Sequence, residues 1–597
     1  MKRAGLWPAL RMMVGLTWQA HPAGAVAQVG LNLLNAFGFV VQSYGVKLLV
    51  DAAVAGDAGR AARGVALIAG LSAVGRAANN LGFRYLATLQ ERTDLLLDER
   101  IMTLAASVPT LEHHEHPEYA DEIELLRQQR GALSQVLAAL LAFLGVLLRS
   151  VFTLGLLATL HPALLALPLF ALPSLWTAAR GTKIELDMDE ALAEPYRRMQ
   201  HLFTLSTTAG PSKELRVFGL EHELVSRYGD EWRRVVRTSV RATRRIAVLQ
   251  TLGWLAFGVG FAAAIALVAV RTLEGDGTPG DIALTFALAG QVNGLANGAA
   301  GITGFLVRSV RVAGHLVWLN EYAASRNAPP ADPAPAPSRL ERGIALERVS
   351  FSYPGTDATV LDGLSAHLPA GAVVAVVGEN GAGKTTLVKL LCKLYDPTAG
   401  RITADGVDIA RIPHAEWRAQ ASGGFQDFAR FEFLARETVG VGHLDSIDSE
   451  DAVRDALERA SAADVVERLD SGLATQLGRS YTEGAELSGG QWQKLALGRS
   501  MMRADPVLLV LDEPTAALDA EAEHALFERY AGAARRAASS TGGITVLVSH
   551  RFSTVRMADL ILVLEAGRLV GAGSHAELIA QGGLYAELYE LQARAYR

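Results

Sequence analysis

The sequence predicts an all-α membrane domain of six helices followed by an α/β domain built around a phosphate-binding loop. Three observations carry that expectation. Six long apolar stretches occupy the first half, a proline-rich stretch closes it, and beyond it Val373-Val374-Ala375-Val376-Val377 breaks into Gly378-Glu379-Asn380-Gly381-Ala382-Gly383-Lys384-Thr385. At 597 residues the chain has room for two or more domains. A mean hydropathy of +0.21 with 20% charged residues points to a part that lives in lipid. The net charge of −6 argues against a nucleic-acid partner, which calls for a basic face. The single cysteine, Cys392, rules out an internal disulfide and reads as a buried structural thiol.

Residues 2–18 set Lys2, Arg3 and Arg11 among Leu6, Trp7, Leu10, Met12, Met13, Leu16 and Trp18. Pro8 and Arg11 would interrupt the apolar core of a signal peptide. The better fit is an amphipathic helix on the cytoplasmic membrane face, with its basic residues holding the N-terminus inside.

About 20 apolar residues at 1.5 Å rise cross a hydrocarbon core of roughly 30 Å. Stretches of that order run over residues 26–50, 64–89, 132–160, 163–176 (continuing inward), 246–270 and 282–307, with His161-Pro162 as a tight turn between the third and fourth. An even number returns the chain to its starting side. The long charged connections 90–131 and 177–245 read as cytoplasmic helical extensions, and Arg233, Arg234, Arg237, Arg241, Arg244 and Arg245 enter span five as the positive-inside rule requires. Glu274, Asp276 and Asp281 make the last short connection acidic and place it outside.

Two charges do not belong in lipid: Arg76 in span two and Arg149 in span three. Span six adds Gly290, Gly294 and Gly298 at four-residue spacing beside Asn293 and Asn297. Two readings stay open for these residues: helix packing through the glycines, or a polar, positive cavity wall for cargo bearing a carboxylate or phosphate. Pro329-Pro330-Ala331-Asp332-Pro333-Ala334-Pro335-Ala336-Pro337 reads as a stiff extended linker. The expected domains are therefore 1–325 in the membrane, a linker over 326–339, and an α/β domain over 340–597.

In that last domain, the glycines of 378–383 let backbone N–H groups point inward ahead of a helix start, which is a cradle for a triphosphate. Lys384 would meet the β and γ phosphates, and Thr385 would put its hydroxyl on Mg²⁺. Thr386 follows in the same helix start. The strand Val507-Leu508-Leu509-Val510-Leu511 delivers the adjacent carboxylates Asp512 and Glu513, and Val546-Leu547-Val548-Ser549 ends in His550. Mg²⁺-dependent phosphoryl transfer needs paired acids beside a phosphate loop.

With Leu487-Ser488-Gly489-Gly490-Gln491 between them, these segments resemble an ATP-binding cassette (ABC) ATPase over about 340–597. The whole chain then resembles an exporter-type half-transporter of that family, with ATP and Mg²⁺ as cofactors. The resemblance implies that Tyr353 stacks adenine, although a tyrosine there is otherwise an ordinary strand residue. It implies that Gln426 reaches Mg²⁺ and senses the membrane domain, and that Asp512 holds the Mg²⁺ shell through water. Glu513 would orient and deprotonate the attacking water; His550 would contact the γ-phosphate or else be a satisfied core histidine. Asp519 joins the nucleotide contacts on the same basis.

In the family, Ser488, Gly489, Gly490 and Gln491 complete the site of an opposite cassette, so one cassette with six spans implies dimerisation. Two identical copies would make two competent sites, and a heterodimer is the alternative. Pro117-Glu118-Tyr119 and Pro211-Ser212-Lys213-Glu214-Leu215-Arg216-Val217-Phe218-Gly219 resemble the two coupling segments of ABC exporters. The run His113-His114-Glu115-His116 also admits a metal reading, which the divergent directions of consecutive histidines weaken. The run Thr482-Glu483-Gly484-Ala485-Glu486 departs from the family's usual Val-Gly-Glu-x-Gly, leaving open which acid meets the coupling helices. Gln491-Trp492-Gln493-Lys494 is weakly similar to bacterial exporters of modified peptides or antibiotics. The expected function is ATP-driven export of a peptide, lipid or small amphipathic molecule across the plasma membrane, presumed bacterial, with the N-terminus and ATPase domain cytoplasmic. The alternatives are a siderophore-type importer of the same fold, or a membrane sensor or assembly protein that binds ATP without transporting.

Overall fold

The computed structural model describes residues 6–513 apart from 116–118, 120–122, 124–125, 127–130 and 132, together with 532, 534–549 and 551–595. Contacts divide the chain into two units, Met1–Ala105 with Glu122–Glu321, and Ala106–Asp121 with Tyr322–Arg597.

The first unit is helical: α1 (Leu6–Ala20), α2 (Pro22–Val54), α3 (Ala58–Ser107), α4 (Val136–Leu160), α5 (Leu167–Thr207), α6 (Glu221–Leu273) and α7 (Pro279–Arg326). Six of these, α2 to α7, are long and apolar enough to cross a membrane, in the six places the hydropathy pattern expects. The turn between spans three and four falls at His161, whose Nδ1 accepts from the Ala163 amide at 3.1 Å ahead of the 3₁₀ turn Pro162–Ala166. Arg149 therefore lies inside α4, half-buried, while Arg76 is exposed on α3.

The tightest helix seam lies between α5 and α6. A Cβ on Gly253 would meet Ser174 Cα at 2.9 Å, and one on Gly260 would meet the Phe170 ring at 2.3 Å, so only glycine lets these backbones approach. Gly290, Gly294 and Gly298 of α7 make no such approach: their Cβ positions are open or at least 3.8 Å from any neighbour. Within one chain, that glycine row therefore brings no second helix backbone close. Asn293 beside it is fully buried, and neither amide atom has a hydrogen-bond partner among the described residues. At the opposite ends of α2 and α7, Lys47 pairs with Asp281, and Asp51 accepts from the Gly280 amide at 2.7 Å.

The second unit holds two sheets. Strands β1 (Gly343–Ser352), β2 (Thr359–Pro369), β4 (Ala399–Ala404) and β5 (Val407–Asp408) form an antiparallel sheet in the order β2-β1-β4-β5. Strands β3 (Val373–Gly378), β6 (Ala421–Gly424), β7 (Leu508–Asp512), β8 (Ile544–Val548), β9 (Leu560–Glu565) and β10 (Arg568–Gly573) form the other, in the order β10-β9-β3-β8-β7-β6. Strands β3, β7 and β8 are almost wholly buried, as unbroken apolar runs of a parallel sheet should be. Helix α8 (Lys384–Leu391) packs Leu387, Leu390 and Leu391 into the core between the sheets. A second core gathers Val453, Leu457, Trp492 and Leu495 around α9 (Gly489–Ser500).

The proline-rich linker is pinned to this unit. Ala334 donates its amide to the Arg411 carbonyl at 2.9 Å, and Asp332 pairs with Arg411 at 2.8 Å. Residues 106–121, expected as an extension of the membrane domain, share more contacts with the second unit.

Candidate nucleotide site

Register puts the expected residues at one edge of the parallel sheet. Val376 of β3 lies opposite Val548 of β8, Val548 lies opposite Asp512 of β7, and Leu511 lies opposite Gly424 of β6. The carboxyl ends of four neighbouring strands thus converge, the place where open α/β sheets hold ligands.

The loop from Gly378 to Gly383 joins β3 to α8 along a path that only glycine allows at two points. A Cβ on Gly378 would lie 2.2 Å from the Leu564 carbonyl oxygen, and Gly383 holds φ +96° against Leu361. Glu379, Asn380, Gly381 and Ala382 close the turn, with the Ala382 amide on the Glu379 carbonyl at 3.2 Å. Lys384 is buried, and its Nζ donates to the carbonyls of Gly378 and Glu379 at 2.9 and 2.8 Å. Burial lowers its pKa, against the pull of Glu513 and Asp512. An ammonium held by two neutral carbonyls is ready to exchange them for phosphate oxygens, which bind it more strongly.

Asp512 is 2% exposed, and burial raises its pKa although the nearby Thr385 hydroxyl pulls it down. Its Oδ1 has no hydrogen-bond partner among the described residues. A hydroxyl, a buried carboxylate with an open oxygen and the amide oxygen of Gln426 form the hard-oxygen donor set that suits Mg²⁺. Gln426 Nε2 donates to Glu513 Oε2 at 2.9 Å, which leaves that amide oxygen available. Glu513 itself holds φ +48°, a left-handed backbone that costs a non-glycine residue roughly 1 to 3 kcal/mol. Such strain persists where the neighbourhood fixes it; here the Glu513 amide is tied to the Val548 carbonyl at 3.0 Å.

Tyr353 is half-buried at the end of β1 beyond Phe351, with its hydroxyl 3.1 Å from that of Thr386. Lys389 Nζ lies 5.2 Å from the Tyr353 ring centroid and 5.8 Å from that of Tyr395. It also pairs at 2.7 Å with Glu115, which accepts from the Tyr395 hydroxyl as well. Burial works against the charge of Lys389, but Glu115 and Tyr353 together more than offset it and the pKa rises. Sequence reasoning missed Glu115, Lys389 and Tyr395, whose partners lie 274 and 280 residues apart, a separation without any local pattern. The segment carrying Glu115 is further held by the Leu111 amide on the Leu394 carbonyl at 3.3 Å and by Arg418 on the Pro109 carbonyl.

Ser488, Gly489, Gly490 and Gln491 open α9. The Ser488 hydroxyl accepts from the Gln491 amide at 3.3 Å, and Gln491 Oε1 accepts from the Ser488 amide at 2.8 Å, a reciprocal cap. Ser488 and Gly489 are exposed, and a Cβ on Gly489 would meet nothing within 4 Å. Of the two nearby acids, Glu486 pairs with Arg479 at 3.1 Å and Glu483 is exposed. His550 and Asp519 lie outside the described residues, as do His116, Pro117 and Glu118. His113 is buried, its ring 3.9 Å from that of His114, and among the described residues no cluster of three His, Cys, Asp or Glu could hold a metal ion. Cys392 is buried, and burial pushes its thiol up to about 12.

The model of the ABC transporter family matches residues 361–516, the stretch that carries this geometry from the phosphate loop to Glu513. A similar curated relative is the ATP-dependent lipid A-core flippase of Ralstonia nicotianae, 39% identical over 44% of this chain and 43% of that protein. The chain spans less than half the length of this and comparable flippases it matches. The ATP-dependent lipid A-core flippase of Xanthomonas oryzae pv. oryzae is 31% identical over 68% of each chain. Among solved structures, a bacterial Atm1-family ABC exporter with ATP bound aligns over 96% of this chain and 98% of its own, with TM-score 0.77 and 25% identity. With that coverage, and with six membrane-competent helices ahead of the cassette, the chain belongs to the ABC transporter family as a half-transporter with an N-terminal membrane domain.

Proposed function

We propose that two copies of this chain form an ATP-driven exporter of amphipathic molecules in the plasma membrane, with the N-terminus and ATPase unit cytoplasmic. The observation that carries the proposal is the meeting of Lys384, Thr385, Asp512, Gln426 and Glu513 at one sheet edge of a chain with six membrane-competent helices. Lys384 binds the β and γ phosphates, and Tyr353 supplies the adenine platform. Mg²⁺ held by Thr385, Asp512 and Gln426 would neutralise charge on the phosphate oxygens. Glu513 orients the attacking water and takes its proton. His550 and Asp519 join the site as the family resemblance implies.

The exposed Ser488 helix start supports the dimer, in which it would meet a second copy's triphosphate. So does the short helix Ser212–Phe218, which buries no residue and leaves Val217 and Phe218 78% and 67% exposed. A large apolar tip left in water asks for a partner. For the cargo, Arg76, half-buried Arg149 and the unpartnered amide of Asn293 favour an amphiphile with an anionic head. The name of the lipid A-core flippases agrees with a lipid-like class.

Purified protein in inside-out vesicles tests this. ATP should drive uptake of an anionic amphiphile, and the same amphiphile should raise ATPase activity. ATP-driven movement the other way would make the chain an importer, and ATP binding without any movement would make it a sensor.

A further inference from the structure

Helices α5 and α6 enclose a groove of about 710 Å³ in the first unit, where the apolar part of α6 begins. Arg180 and Lys183 of α5 and Arg241, Arg244 and Arg245 of α6 line it, with Asp187 as the one acid in its wall. Its remaining lining is apolar: Ile184, Val248 and Leu249.

The positive-inside rule explains why basic residues stand near this level of the helices. It does not explain their pairing. Farther out on the same two helices, arginines meet carboxylates: Arg198 with Glu194 and Glu231, Arg227 with Glu223, Arg233 with Asp230, and Arg234 with Glu231. None of the five groove cations makes an ion pair within 4.0 Å among the described residues, not even with Asp187. Five like charges lining one groove, with one acid in its wall and no ion pair among the described residues, repel one another unless an anion joins them.

The apolar surroundings indicate what kind of anion. From Val248, exposed side chains continue along α6 through Leu252, Leu255 and Val259, 54%, 56%, 65% and 66% exposed. At 1.5 Å per residue this track runs roughly 16 Å into the hydrocarbon, the reach of an acyl chain. On α5, Trp176 is 65% exposed one helical turn before Arg180, the kind of residue that sits at headgroup level. We propose that this groove binds the phosphate headgroup of an anionic phospholipid from the leaflet on the ATPase side, with its acyl chains along α6. Its lining shares no residue with the cargo path proposed above, and the binding it describes does not depend on ATP.

The test is equilibrium binding of phosphatidylglycerol and phosphatidylcholine to the full-length protein, read by native mass spectrometry. Wild-type protein should prefer phosphatidylglycerol, and the preference should fade as salt rises. The triple substitution Arg241→Gln, Arg244→Gln, Arg245→Gln should weaken phosphatidylglycerol on the order of a hundredfold at low salt, at roughly fivefold per juxtamembrane charge. Arg180→Gln with Lys183→Gln, which tests the other wall should the triple variant fail to fold, should weaken it by more than about tenfold. An equal charge removed from the arms, by Arg227→Gln, Arg233→Gln and Arg234→Gln, should leave binding unchanged. Wild-type affinity in the groove variants, or an equal loss in the arm variant, overturns the proposal. Displacement of the lipid by inorganic phosphate at matching concentration would also overturn it, by making this a site for a soluble anion.

Discussion

In the phosphate-loop half of the nucleotide site, polar side chains already hold one another. Lys384 is folded onto two loop carbonyls, the Thr385 hydroxyl favours the charged form of Asp512, and Gln426 bonds Glu513. The start of α9 is built from similar parts, a glycine turn at a helix N-terminus, yet the side chains of Ser488 and Gln491 merely cap each other's backbone amides, and Gly489 faces open space. The short helix Ser212–Phe218 is equally bare. One half of the site has its side chains bonded inside a single chain, whereas the other surfaces leave their groups exposed, as surfaces that a second copy would cover. That contrast is the physical reason for proposing a dimer.

The deepest break should come from Glu513. Glu513→Gln keeps the shape of the side chain but not its basicity, so ATP should still bind while turnover falls at least on the order of a hundredfold. Near-normal turnover by that variant would remove Glu513 from its role.

Lys384→Ala and Gly489→Asp should separate the two halves. Losing a charge-assisted bond from the cradle should weaken ATP binding by roughly ten- to a hundredfold, with hydrolysis falling alongside. A carboxylate at Gly489, which faces open space in its own chain, should spare ATP affinity and cut hydrolysis alone. Equal effects on binding would show that α9 belongs to the same chain's site.

How legible this was depended on distance along the chain. Residues 378–386, 488–491 and 507–513 are contiguous, and each run carries its own chemistry; the six spans needed only length and hydropathy. The seam at Gly253 and Gly260 was not legible, because which glycines face a neighbour depends on helix rotation, and Gly290, Gly294 and Gly298 have the more conspicuous spacing. Nor was the contact of Glu115 with Lys389, where a long-range fold places one carboxylate on the lysine that lies over the Tyr353 ring. The linker was recognised by its prolines, but its anchoring through Asp332 and Arg411 rests on one ion pair and two hydrogen bonds to backbone carbonyls.

Smaller effects should follow at the bare helix and at Glu115. Val217→Ser with Phe218→Ser should leave basal ATPase activity in place and reduce its stimulation by cargo several-fold, about what losing two exposed apolar contacts at an interface does. Unchanged stimulation would mean the tip docks on nothing. Glu115→Gln removes the carboxylate that, with Tyr353, raises the Lys389 pKa. Because the folded-state value is the raised one, the pair's contribution is complete below the ordinary lysine pKa and disappears as pH climbs through the raised value. The variant should lose under about 1 kcal/mol at neutral pH, as half-exposed pairs do, and match wild type in strong base. A stability difference that persists there would point to packing instead of charge.

The most direct measurement joins the two halves across chains. Asn380→Cys and Ser488→Cys are placed together in a chain whose Cys392 is replaced by serine, and the protein is oxidised with and without ATP. A disulfide needs Cα atoms within about 7 Å, so a bond between copies forms only if the Ser488 turn of one caps the phosphate loop of the other. The account predicts covalent dimers that depend on ATP; monomers alone at saturating ATP would contradict it.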